Sequence, residues 1–227
     1  MRTSLALLHK QGKDSLRNLP TLMILVIYPA VAFVMITAIG REEGTGKMFL
    51  AMFATMHCCF APATMAANIL AEEKEKGTLR TLLLSGVGRV NYLISVALFV
   101  ICADLLTGST FLLMDSFDRA YMMSFGAAML SGAVISTLLG LCIGLHSQNT
   151  AAANGMAVPV GLVFSLLPML AQFNDTIAKA AKLLYSGHIS LILSGGSASW
   201  ETAAVLLAYF VIGAAGVTVL FKKKGLE

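Results

Sequence analysis

Asp104 stands alone as an acid inside a long apolar run, Val90–Leu113. An unpaired carboxylate is costly in hydrocarbon, so Asp104 must face water or protein. It either lines a pathway that senses cations or anchors one helix to another. Thr107, Gly108 and Thr110 add polarity around it. His57 and Asn68 share a second apolar run and lie eleven residues apart, three helical turns, which puts them on one face. That face either lines a pathway or bonds to a neighbouring helix. Familiar catalytic patterns are absent. Glu72-Glu73 opens a glutamate-protease pattern, but Gly77 stands where it needs Arg. No His-Glu-x-x-His motif surrounds His9, His57, His146 or His188. Gly40-Arg41-Glu42-Glu43-Gly44-Thr45-Gly46-Lys47 imitates a phosphate loop, yet its spacing is one residue too long and Met48 follows instead of Ser or Thr. The chain therefore offers no nucleotide site, no cofactor site and no metal site. Cys58, Cys59, Cys102 and Cys142 all lie in apolar runs without CxxC spacing, and read as small buried residues, with Cys58 and Cys59 on different sides of a helix. The stripe Met48, Met52, Met56 reads as core.

The elements that hold these residues follow from composition. Of 227 residues 57% are hydrophobic and 12% charged, against ~45–50% and ~25% in soluble domains, and mean hydropathy is +0.81. Six runs approach the ~20 apolar residues that cross a bilayer: Pro20–Ile39, Met48–Leu70, Val90–Leu113, Tyr121–His146, Ala151–Gln172 and Thr202–Phe221. No barrel-type alternation is present. The expected fold is an all-α integral membrane protein, one transmembrane domain over 1–227. Residues 1–19 carry Arg2, His9, Lys10, Lys13, Asp14 and Arg17 with Leu5, Leu8, Leu16 and Leu19, which suits an amphipathic helix lying among headgroups. Orientation follows from Lys and Arg. With the N-terminus inside, the inner face collects Arg2, Lys10, Lys13, Arg17, Lys74, Lys76, Arg80, Arg89 and Lys222–Lys224, and the outer face only Arg41, Lys47, Arg119, Lys179 and Lys182. Both termini are then cytoplasmic. The closing lysine run reads as an anchor beside anionic lipid rather than a nucleic-acid patch.

The longest external segment is 173–201. Ile177, Ala180, Ala181 and Leu184 recur there at helical spacing, and Ile189–Leu193 is too short to span and dips into the bilayer. The fourth run holds Ala128, Gly132, Ser136, Gly140 and Gly144, a ladder that permits close helix approach to another span or to a second copy. Pro29, Pro62, Pro159 and Pro168 should kink their spans.

Charge concentrates in residues 72–86, between the second and third runs. Gly77 favours a break, Thr78 suits an N-cap, and Gly86 suits a helix end. Leu79, Leu82 and Leu83 make the apolar side of the short helix so defined, which presents leucines and Arg80 to a protein groove or to headgroups. The stretch Glu73-Lys74-Glu75-Lys76-Gly77-Thr78-Leu79-Arg80-Thr81-Leu82-Leu83 resembles the Glu-x-Glu-x-Gly-Thr-Leu-x-x-Leu-Leu signature of type-2 ATP-binding-cassette permeases, the type V exporter class. The layout is similar over nearly the whole chain. It departs at Ser85-Gly86, where the family often has Ser-Pro, and at Tyr185-Ser186-Gly187, where prolines are common. The resemblance implies a coupling helix around Thr78–Leu84 seated in an ATPase groove, with Glu73 and Glu75 in polar contacts at that joint. It further implies two ATPase subunits carrying ATP and Mg, a second permease, and a smaller contact at Ser147–Thr150. The expected activity is export of a hydrophobic or amphipathic substrate. The alternatives are an ATPase-coupled immunity or membrane-assembly protein, and an ion carrier using Asp104.

Overall fold

A computed structural model describes residues 7, 10–14, 19–39, 44–114 and 117–224. Arg2, Leu5, Leu8, His9, Leu16 and Arg17 of the expected interfacial helix, Gly40, Arg41, Glu42 and Glu43 of the first loop, and Asp115 lie outside the described residues. Residues 10–14 are helical. The following helices are α1 (Leu19–Ala38), α2 (Thr45–Glu75), α3 (Thr78–Leu84), α4 (Arg89–Gly108, continued by a 3-10 turn at Ser109–Leu113), α5 (Arg119–His146), α6 (Thr150–Leu170), α7 (Asp175–Ala181), α8 (Tyr185–Leu193) and α9 (Trp200–Lys224). Six of them, α1, α2, α4 with its 3-10 turn, α5, α6 and α9, are long and apolar enough to cross a membrane.

Helix α2 exceeds the expected Met48–Leu70 at its end. Its 31 residues reach ~46 Å at 1.5 Å per residue. That is longer than the ~30 Å hydrocarbon core, so Glu72–Glu75 emerge still helical. Span α4 tightens instead of continuing. The hydroxyls of Thr107, Ser109 and Thr110 donate to carbonyls three or four residues earlier, and such back-bonding competes with regular helix.

Helices α2 and α5 form the centre. In the apolar window of α2, 72% of residues are buried, against 6% in α9. The small-residue ladder explains their approach. A Cβ at Gly140 would strike the carbonyl of Ala63, one at Gly144 would meet Leu70 Cβ, and one at Gly132 would meet Cys58 Sγ. The ladder's partner is thus span α2 of the same chain. Ser136, on the same ladder, hydrogen-bonds the Tyr185 hydroxyl at 2.8 Å. Met52 is core. Each of the four prolines sits within an unbroken helix. Apolar side chains such as Val26 and Phe33 on α1 and Leu207 and Ile212 on α9 stay exposed, as lipid-facing positions must.

The segment between α6 and α9 folds inward further than Ile189–Leu193. Helix α8 begins at Tyr185 and buries Tyr185, Ser186, Ile189 and Leu193. Its start reaches Ser136 near the middle of α5, and its end gives the Leu193 carbonyl to the Tyr121 hydroxyl at 2.6 Å. Tyr185 also packs in a ring cluster with Phe164 of α6 and Tyr209 of α9, its ring tilted against both. Helix α7 starts at Asn174, whose side chain caps Thr176 and Ile177.

Candidate functional site

Residues 72–86 lie at one end of the bundle, with residues 10–14 and the close of α9. Helix α2 stops because Gly77 enters the left-handed region, φ 67°, where L side chains are strained. The Gly77 amide donates to the Lys74 carbonyl and the Thr78 hydroxyl to that of Glu73. Thr78 is therefore the first residue of α3, and Gly77 occupies the cap expected of Thr78. A residue already in helical conformation cannot cap its own helix; its hydroxyl serves the helix before it. At the other end Gly86 has φ 89°, its amide donates to Leu83 and that of Val87 to Leu82. This is the Schellman arrangement that closes a helix.

Helix α3 has one face in the core. Leu79 is 1% exposed, and Leu82 and Leu83 rest half-buried on the cluster of Tyr92, Leu93 and Leu70. Leu79 was expected on the presented side but is turned inward. Arg80, Thr81 and Leu84 face outward, Leu84 with 80% exposure. An apolar side chain so exposed beside a cation can enter a protein groove.

The last three residues of α2 each bind a different element. Glu73 accepts from Lys10 at 2.6 Å and from Gln11 at 2.9 Å, and is 7% exposed. Lys74 donates to the carbonyls of Gly144, Leu145 and Ser147 at 3.1, 2.8 and 3.2 Å, the negative end of α5. Exposed Glu75 accepts from the amide and hydroxyl of Thr150 at 2.9 and 2.7 Å, which satisfies a donor left free at the start of α6. Lys76 bonds Glu72 one turn back, and that carboxylate holds its ammonium above the usual value. Both Glu73 and Glu75 are thus engaged inside the chain. The sequence alone names neither Lys10, Gln11 and Thr150 as their partners nor Lys74 as a donor to the end of α5. The i-to-remote spacing gave no local signal, although a lysine following a long span and a threonine opening the next are the types that bind helix ends.

A second constellation lies within the bundle. His57 Nε2 is 3.2 Å from Asp104 Oδ1, 3.0 Å from Thr107 Oγ1 and 3.3 Å from the Asp104 carbonyl. The Asp104 carbonyl can only accept, so Nε2 carries the hydrogen in that contact. His57 and Asp104 are both fully buried, and the rings of Tyr28 and Phe111 flank the imidazole. The group ties α2 to α4. Asn68 lies three turns away on α2, and its buried Oδ1 has no hydrogen-bond partner among the described residues. Cys58 and Cys59 are buried with sulfurs 4.0 Å apart, whereas Cys102, expected to be buried, is exposed. Among the described residues no group of three or more His, Cys, Asp or Glu could hold a metal.

No curated protein matches the sequence. A family model described as ABC-2 family transporter protein matches residues 29–221, which takes in the charged segment, the His57–Asp104 pair and all but the first turns of the bundle. That family supplies the transmembrane component of an ATP-binding-cassette transporter and implies an ATPase partner. With that match over most of the chain and six helices long and apolar enough to span, the chain belongs to the ABC-2 family of transporter membrane proteins.

Proposed function

We propose that this chain is the permease subunit of an exporter that moves a hydrophobic or amphipathic substrate out of the cytoplasm. It pairs with a second permease and engages two ATPase subunits, which hold ATP and Mg. The charged end, with both termini, faces the cytoplasm of a plasma membrane, a reading that the bias of Lys and Arg supports. One observation carries the reading: consecutive residues Glu73, Lys74 and Glu75 bond to residues 10–11, to the end of α5 and to the start of α6. A push on α3 is delivered to three elements at once. The ATPase groove receives Arg80, Thr81 and Leu84, while Glu73 and Glu75 transmit rather than touch the ATPase.

The test uses the tagged full chain purified from its own host's membranes. ATP hydrolysis should co-elute with the wild type. It should be lost with Arg80→Glu plus Leu84→Asp, both at exposed positions, while the amount of inserted chain is unchanged. Equal ATPase recovery with that double variant, or none with the wild type, would refute the reading.

A further inference from the structure

At the end of the bundle away from the termini, the segment between α6 and α9 and the first turns of α2 and α9 enclose a cleft of about 860 Å³. Small-molecule sites occupy ~300–1,000 Å³. Its wall is held rigidly. His188 Nε2 lies 3.0 Å from the Lys182 carbonyl, which can only accept, so Nε2 bears the hydrogen; Nδ1, 3.1 Å from Thr202 Oγ1, then accepts from that hydroxyl. Thr202 is 1% exposed. One imidazole therefore pins α8 to the turn after α7 and to α9. Gly187 completes the fold-back, since a Cβ there would strike the Ala181 carbonyl.

The cleft is two-natured. Met48, Pro168 and Leu191 supply apolar lining. Lys47 and Lys182, both exposed, supply cationic lining. Neither ammonium has a side-chain partner among the described residues, unlike Lys10 and Lys76 at the opposite end. Among the described residues Glu201 is the single acid in the lining, so there two positive charges meet one negative. Trp200, 79% exposed, sits in the same lining, and tryptophan with lysine is the side-chain pair of a membrane boundary.

We propose that this cleft binds an anionic amphiphile, an acyl chain bearing a carboxylate or phosphate head. The chain lies along Met48, Pro168 and Leu191, and Lys47 and Lys182 hold the head. Burial of an apolar chain is favourable in proportion to the area removed from water, so the chain supplies affinity and the lysines select the charge. The site needs no ATPase and goes beyond the export reading.

Trp200 is the sole tryptophan and serves as the reporter. Full-length protein in detergent micelles is titrated with brominated stearate, whose bromines quench tryptophan on contact. Saturable quenching is expected. Lys47→Glu with Lys182→Glu should weaken it at least tenfold, and the exposed Lys179→Glu, outside the cleft, should leave it unchanged. The brominated methyl ester, lacking charge, should bind at least tenfold more weakly than the acid. Unbrominated phosphatidylglycerol, used as competitor, relieves the quenching where the site takes a membrane lipid and leaves it where the site takes a free fatty acid; lysine-dependent binding of either supports the site. Lys47→Ala with Lys182→Ala carries the test where the glutamate pair alters the thermal melt. Quenching that does not saturate, that is equal for acid and ester, or that persists in a folded double variant would overturn the proposal.

Discussion

At Gly77 a Cβ would meet nothing within 4 Å, so the constraint is the backbone alone, φ 67°. Gly77→Ala should therefore cost about 1–2 kcal/mol of left-handed strain without any clash. It should lower ATPase coupling severalfold while membrane insertion stays normal. Gly77→Asn should cost less, because asparagine visits that region. Equal effects of the two substitutions would show that sterics, not φ, governs the position. The His57–Asp104 pair makes a different demand. Leaving one buried polar group without its partner typically costs about 1–3 kcal/mol, whereas replacing both by apolar groups can be nearly neutral. Asp104→Leu should thus lower the melting temperature more than His57→Leu combined with Asp104→Leu. If the double variant is as unstable as the sum of the singles, the two residues are not a unit. Both residues were legible as polar positions in apolar runs. Their pairing was not, because 47 residues separate them and no local period connects α2 with α4.

Among the elements, α2 and α5 set the framework, and their contact rests on absent side chains. Gly140→Leu would drive a side chain into the Ala63 carbonyl, and overpacking of this kind costs roughly 1–3 kcal/mol or more. On the same helix, Gly126→Leu meets open space and should leave the melt near wild type, which makes it the matched control in a detergent stability assay. The six spans and the ladder were readable because hydrophobic length and four-residue spacing are local properties. Three features were not. The partner of the ladder needed the packed bundle, since small residues mark a close approach without naming the helix that comes close. Helix α8 was read only in part, because Tyr185 and Ser186 look polar until Ser136 receives the tyrosine hydroxyl. The cap of α3 was assigned one residue late, because Gly77 and Thr78 both favour that position and only backbone geometry distinguishes them.

For the whole molecule, the charged segment first looked like a surface for a partner, and the composition alone supported that. The packed chain divides the work. Arg80, Thr81 and Leu84 remain presented, while Glu73, Lys74 and Glu75 bind outward from one helix end into the rest of the bundle. Docking and transmission should therefore be separable. The exposed Glu75–Thr150 contact is the transmission link most open to substitution, since neither side chain supports the core. Glu75→Gln with Thr150→Val keeps the size of both side chains and removes the charge-assisted bond to the hydroxyl. ATPase should still bind this variant. Spin labels on α6 and α9 at the end away from the termini should change their separation on ATP addition in the wild type. In the variant that change should shrink by at least half, with hydrolysis continuing uncoupled. The Arg80→Glu, Leu84→Asp variant should instead lose ATPase and motion together. Were the Glu75–Thr150 variant to move like the wild type, the pull on α3 would have to travel through Lys74 to α5 or through Glu73 to residues 10–11. Lys74→Met and Glu73→Gln would then distinguish those routes by the same labels.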